Sequence, residues 1–372
     1  MARKLLAILC LTALLSIMPL MVSAQDEIES VCLVTDVGRV NDGTFNQYAY
    51  DGMQRAADDF DLDTTFIETT AQTDYAANIE TCVSEEFDII VTVGFLITDA
   101  THAAAEANPD IQFIGVDQFF ADPLPNLVGI QYREDQAGFL VGAMAALMTE
   151  SGTVGGVYGI PIPPVVKFRN GFEQGARYIN PDINLVGVYI DNFNAPDRGA
   201  SAAEQLIGEG ADVIFGAGGP TGSGAITRAA DLGVYVIGVD KDEYVTTFGD
   251  GETPGAEYLI SSAMKRVDNG VYDMIALLVD GGSFPEDSLY VLSLENDGIA
   301  FAPPHDSDVP EEVTAQVEEI QAGLLDGSIE TGVNPGDGSL LEGEGAPLVA
   351  LTAEPGAEAT AEATPEATEA SS

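Results

Sequence analysis

Three aspartates close apolar runs: Asp36 ends VCLVTD, Asp117 ends QFIGVD and Asp240 ends YVIGVD. Carboxylates accept hydrogen bonds from hydroxyls and repel phosphates. Three of them gathered at strand ends therefore suit a neutral, polyhydroxylated ligand, a sugar or a nucleoside, better than a nucleotide. The first aspartate belongs to VTDVGRVNDGTFNQYAYDG. A strand ending at Asp36, a turn through Gly38 and a helix opened by Asn41-Asp42 would set Asp36, Asn41, Phe45 and Asn46 at one mouth. Asp42 is expected to cap that helix by accepting its unsatisfied backbone donors. Carboxylates in a cleft also permit a secreted nucleoside hydrolase. No clustered acidic metal motif stands near the chain start and no serine nucleophile elbow appears, so an enzyme is not expected.

The elements that must hold these groups show a duplication. Phe87-Asp88-Ile89-Ile90 begins an apolar run and Ile114-Gly115-Val116-Asp117 closes the next; Ala211-Asp212-Val213-Ile214 begins a later run and Ile237-Gly238-Val239-Asp240 closes the one after it. The two steps differ by a single residue and each encloses a helix-like stretch, so each copy reads as strand, helix, strand with the strands parallel. Ligands of open parallel sheets bind just outside the carboxyl ends of the strands, where both repeated aspartates fall. The arrangement is a cleft between two similar α/β lobes.

The first series of strands is predicted near Val31–Asp36, Asp63–Glu68, Ile89–Val93, Gln112–Asp117 and Leu127–Gln131. The second is predicted near Thr153–Tyr158, Asn184–Ile190, Val213–Gly216, Tyr235–Asp240 and Glu257–Ser261. Ala-rich helices are expected at Asp135–Met148 and Asp197–Gly208, with late elements at Tyr290–Leu294 and Val309–Leu325. The expected first lobe is 27–131 plus about 262–289, and the second 132–261 plus about 290–337.

Residues 1–24 carry Arg3 and Lys4, an apolar stretch from Leu5 to Val22 and small residues before Gln25, the pattern of a cleaved secretory signal. No cysteine follows the small residues, so no lipobox is read and the protein is expected outside the cytoplasm. Residues 342–372 collapse to Ala, Glu, Thr, Pro and Gly and predict a disordered acidic tail. With 61 acidic residues against 13 Lys and Arg, a formal charge of −48 excludes nucleic acid as a partner and disfavours an anionic membrane surface. Cys32 and Cys82 read as two isolated buried thiols; export permits a bridge, but sequence does not place them within reach. The histidines, His102 and His305, stand apart from any cysteine pair, so neither zinc nor any other cofactor is expected. GAGGPTGSG lacks the Lys-Ser/Thr ending of a phosphate loop and reads as a loop that lets backbone approach a ligand.

VTDVGRVNDGTFNQYAYDG resembles the opening motif of the basic membrane protein family, substrate-binding proteins similar to a purine nucleoside receptor. The resemblance continues through VGFLITDATHAAAEANPDIQFIGVDQ, EDQAGFLVGAMAALM, FRNGFEQGARYINPDI and FGAGGPTGSGAITRAADLGVYVIGVDKD to ISSAMKRVDNGVYD. It implies a type I periplasmic-binding-protein fold, two α/β lobes joined by three crossing segments, feeding an ABC importer. It further implies that Asp36, Asn41 and Asn46 hydrogen-bond the ligand, that Phe45 and Phe193 lie against opposite faces of a base, and that Asp117, Gly216, Asp240 and Lys265 surround the ribose and base edge. The implied partners are a purine nucleoside and ABC permease subunits, and the protein is expected to be a monomer. A sugar or other small polar solute is the alternative ligand, since a sugar commonly needs one flat face and a base needs two. Lys241 departs from the small polar residue frequent in relatives.

Overall fold

The computed structural model describes residues 28–341. The predicted signal segment and the predicted tail lie outside the described residues. The first half runs β1 (Ser30–Val37), α1 (Phe45–Phe60), β2 (Asp63–Thr69), α2 (Tyr75–Ser84), β3 (Ile89–Val93), α3 (Thr98–Ala107), β4 (Gln112–Val116) and β5 (Leu127–Tyr132). The second runs α4 (Glu134–Met148), β6 (Thr153–Tyr158), α5 (Pro163–Ile179), β7 (Asn184–Tyr189), α6 (Pro196–Gly208), β8 (Val213–Ala217), α7 (Pro220–Asp231), β9 (Tyr235–Asp240) and β10 (Leu259–Lys265). The chain ends with α8 (Val267–Val279), β11 (Leu289–Leu292), β12 (Ile299–Phe301) and α9 (Glu311–Asp326).

Two six-stranded sheets form, in the orders β11-β5-β4-β3-β1-β2 and β12-β10-β9-β8-β6-β7. All neighbours are parallel except the antiparallel β10–β12 pair. The inner strands are apolar runs without alternation because helices cover both faces: β3 and β8 are buried along their whole length. The duplication extends to the backbone. Asp117, just past β4, and Asp240, at the end of β9, occupy equivalent positions and both adopt left-handed φ values, 62° and 63°. Aspartate tolerates that conformation better than most residues, and here it turns each carboxylate out of its strand end.

Among the described residues three segments cross between lobes, around Arg133, Arg266 and 293–298, and they brace one another: the amide of Arg133 donates to the Leu292 carbonyl and that of Arg266 to the Gly298 carbonyl, both at 2.9 Å. The expected division changes at two places. β11 lies at the edge of the first sheet, beside β5, and not in the second lobe as 290–337 had implied. β10 runs on to Lys265, so 262–265 belong to the second sheet. Cys32 in β1 and Cys82 in α2 are joined by a disulfide, Cα atoms 5.9 Å apart, correcting the expectation of isolated thiols.

Helix α4 is buried on nearly all sides and packs against α5. Gly138 and Gly142 of α4 face Gly171 and Gly175 of α5, and a Cβ at any of them would collide with backbone of the partner helix. This close approach fixes the start of α5, which forms one wall of the cleft.

Candidate ligand-binding cleft

The carboxyl ends of the strands of both sheets converge on one cleft, about 630 Å³ with its open mouth included. The first lobe contributes Asp36, Asp42, Phe45 and Asn46, then Gly94 and Phe95 beyond β3, and Asp117 beyond β4. The second contributes the start of α5 with Phe168, Phe193 and Asn194 beyond β7, Ala217 to Pro220, Asp240 and Lys265.

Of the residues expected from sequence, Asp36, Phe45, Asn46, Asp117, Phe193, Asp240 and Lys265 line this cleft. Asn41 does not; it is exposed in the turn before α1. Gly216 does not either. It is buried in β8, where a Cβ would strike the Gly222 carbonyl, so it serves the close packing of α7 on the sheet. The cleft is reached by Gly218 and Gly219 instead.

Asp42 caps α1 as expected. Its carboxylate accepts from the amides of Thr44 (2.9 Å), Asn46 (3.1 Å) and Gln47 (3.1 Å), and from the Asn46 side-chain amide (3.0 Å). The Asn46 side-chain Oδ1 accepts from the Asp36 amide at 3.0 Å, which ties the helix start to the strand end. Asp36 is held from below by the Tyr75 hydroxyl and by the Val37 amide at 2.6 Å. Gly94 makes room for it, since a Cβ there would collide with Asp36 Oδ2. Burial pushes the Asp36 carboxyl up to about 6, against the pull of those two donors.

Lys265, only 1% exposed, is the central cation. Its Nζ lies 2.6 Å from Asp117 Oδ2 and 2.8 Å from Glu134 Oε1, and 5.0 Å from the centre of the Phe45 ring. Asp240 is raised to about 8 by burial, opposed by Lys265 and reinforced by the charges of Asp117, Asp42 and Glu243. Asp117 is also raised by burial, with Lys265 opposing, and its Oδ1 is buried without a hydrogen-bond partner among the described residues. Glu243, pushed to about 7 by burial, braces the β9 end from behind by accepting from the Val239 amide at 3.1 Å and the Ser223 hydroxyl at 2.8 Å.

Sequence reasoning missed Phe95 and Phe168; it read the glycine-rich loop GAGGPTGSG as approaching a ligand but singled out Gly216 rather than Gly218 and Gly219. It also gave no role to Asn194, whose side-chain amide donates across the lobes to the Val37 carbonyl at 2.7 Å. Lys241 lies outside the lining and bridges the lobes by pairing with Asp51 of α1 at 2.5 Å.

Two α/β lobes, three crossings and a cleft faced by acids, aromatics and one buried cation define a type I periplasmic solute-binding protein. The family described as "Bmp: ABC transporter substrate-binding protein PnrA-like" matches residues 29–328, and the chain belongs to it. Its members are substrate-binding proteins rather than enzymes; they work outside the cytoplasm and deliver a solute to the permease of an ABC transporter.

Among relatives, the CD4+ T-cell-stimulating antigen of Listeria monocytogenes is 32% identical over 321 residues, 82% of this chain and 88% of that protein. The ABC transporter nucleoside-binding protein BmpA of Lactococcus lactis is 27% identical over 310 residues, 80% of this chain and 87% of that one. Among solved structures, a solute-binding protein of an ABC transporter system from Aeropyrum pernix superposes with a TM-score of 0.71 at 26% identity, covering 81% of this chain and 92% of that one.

Proposed function

We propose that this protein captures purine nucleosides, guanosine, adenosine or inosine, between its lobes outside the cytoplasm and presents them as a monomer to ABC permease subunits. It would be exported through a cleaved signal. The observation that carries the reading is the composition of one cleft: carboxylates of Asp36, Asp117 and Asp240 from both lobes, with Phe45 and Phe193 contributed from opposite lobes. Ribose hydroxyls donate to the carboxylates, and a base lies against aromatic rings, where offset stacking adds about 0.5–1.5 kcal/mol beyond burial. The Lactococcus relative, named a nucleoside-binding protein, is consistent with this ligand class. Because both lobes touch the ligand, binding favours the closed state by its differential affinity.

Calorimetry with inosine and with inosine monophosphate tests the reading. Inosine is expected to bind and the monophosphate to bind far more weakly, because its dianionic group would enter a cleft of acids; equal affinities would sink the electrostatic argument. Release of free base from inosine would reveal a hydrolase instead.

Two substitutions separate the roles. Asp240→Ala leaves ribose donors unpaired in a closed site and is expected to cost about 1–3 kcal/mol, felt most by ribose-bearing ligands. Phe193→Ala is expected to weaken every purine nucleoside with little change between ribose and 2′-deoxyribose forms. Wild-type guanosine affinity in either variant would place the site elsewhere.

A further inference from the structure

Glu134 is the first residue of α4, directly after the first crossing, wholly buried, and outside the lining of the cleft. Its carboxylate is divided between two buried lysines: Oε1 lies 2.8 Å from Lys265 Nζ and Oε2 2.5 Å from Lys167 Nζ. Lys265 continues to Asp117 at 2.6 Å, and Lys167 donates to the Tyr132 carbonyl at 2.8 Å. A buried chain of two acids and two bases thus runs from the cleft floor to the first crossing.

The duplicated halves show that the fold does not require it. The first two crossings each carry an arginine paired with the aspartate two residues on, Arg133 with Asp135 and Arg266 with Asp268, each at 2.8 Å. In that register Glu134 corresponds to Val267 and Lys265 to Tyr132. The same local structure is therefore built with an apolar residue at the position of Glu134. Buried ion pairs of this kind seldom improve on apolar packing for stability, so an ionic network built at one crossing and replaced by an apolar residue at the equivalent position of the other points to function.

We propose that Glu134 is a positioning residue for ligand capture: it pins the Lys265 ammonium to the cleft floor against Asp117, leaving Asp240 as the carboxylate that receives the ligand's hydroxyls. The inference rests on the reading of this cleft as the nucleoside site. The groups that face the network are Asp117 and Tyr132 from the first lobe and Lys167 and Asp240 from the second, with Asp36, Asp42 and Glu243 beyond them. With Glu134 neutral, the charge of Lys265 falls on Asp117 and Asp240 alone, which favours their ionised forms.

The test is inosine affinity measured by calorimetry from pH 5 to 9. Glu134→Gln leaves Lys167 buried without its counter-ion and is expected to destabilise the fold. Glu134→Gln/Lys167→Met removes one charge of each sign and is the decisive variant. It is expected to fold, to bind inosine roughly tenfold more weakly at its optimum pH, and to lose affinity on acidification about one pH unit lower than the parent. Wild-type affinity, or weakened affinity with an unmoved acid limb, overturns the proposal. Failure of the parent protein to bind any purine nucleoside would overturn the functional reading instead, so the two failures are distinguishable.

Discussion

Replacing Cys32 and Cys82 together with alanine is expected to cost about 4 kcal/mol of stability, the loop-closure entropy released when a bridge spanning 50 residues is lost. Against the 5–15 kcal/mol that usually separates folded from unfolded chains, roughly 4 is a large share. The loss should also reach the cleft. Cys32 lies in β1 four residues before Asp36, and Cys82 lies in α2, the helix that opens with Tyr75, whose hydroxyl holds the Asp36 carboxylate. The bridge thus fixes the strand and the helix whose ends meet at Asp36. Chemical denaturation of the oxidised parent and the double variant measures the first effect, and inosine calorimetry the second. Equal midpoints, or two titratable thiols in the purified native parent, would remove the bridge from the account.

The bridge shows where sequence reading ran out. Two cysteines separated by a strand, a helix and a turn become neighbours only through the packing of α2 on β1, which no local pattern encodes. Edge strand β11, expected near Tyr290–Leu294, was given to the wrong lobe for a similar reason: four residues, LYVL, pair with β5 after the chain has passed through the second lobe and α8, and nothing in them specifies which sheet receives them.

The repeated core was legible because buried parallel strands have to be continuous apolar runs, and the two IGVD endings fixed the register of both sheets at once. That register held more than was drawn from it. Asp88 stands six residues before Gly94, and Asp212 six before Gly218. Glycine at the cleft was therefore marked at Gly218, not at Gly216, which sits inside β8. Asn41 misled because a polar residue beside a helix cap satisfies the same pattern whether it faces ligand or solvent. Phe95 and Phe168 were invisible for the opposite reason, since an aromatic among apolar neighbours reads as core. Lys167 and Glu134 carried no signal of burial, because lysine and glutamate are ordinarily exposed and become buried only as partners.

Ligand-free stability and ligand affinity are expected to move in opposite directions with pH. Asp36, Glu243 and Asp240 have folded-state values raised to about 6, 7 and 8 by burial. A carboxyl raised above its unfolded value binds its proton more tightly when folded. Its contribution to stability is therefore full below about pH 4 and is lost as pH rises through 6 to 8. Ribose hydroxyls donate more strongly to an ionised carboxylate than to a protonated one, so binding favours loss of the protons on Asp36 and Asp240, the two of these groups that line the cleft, and affinity should rise over the same window. For Asp240 alone the slope approaches tenfold per pH unit below about 8. Melting temperature and inosine affinity measured side by side from pH 5 to 9 decide the matter, with Asp240→Asn as the control. That variant cannot ionise, so its ligand-free melting temperature should fall less toward pH 9, and its weakened affinity should lose the dependence near pH 8. A parent whose stability climbs through this window, or whose affinity is flat across it, would mean that the cleft acids are ionised before the ligand arrives.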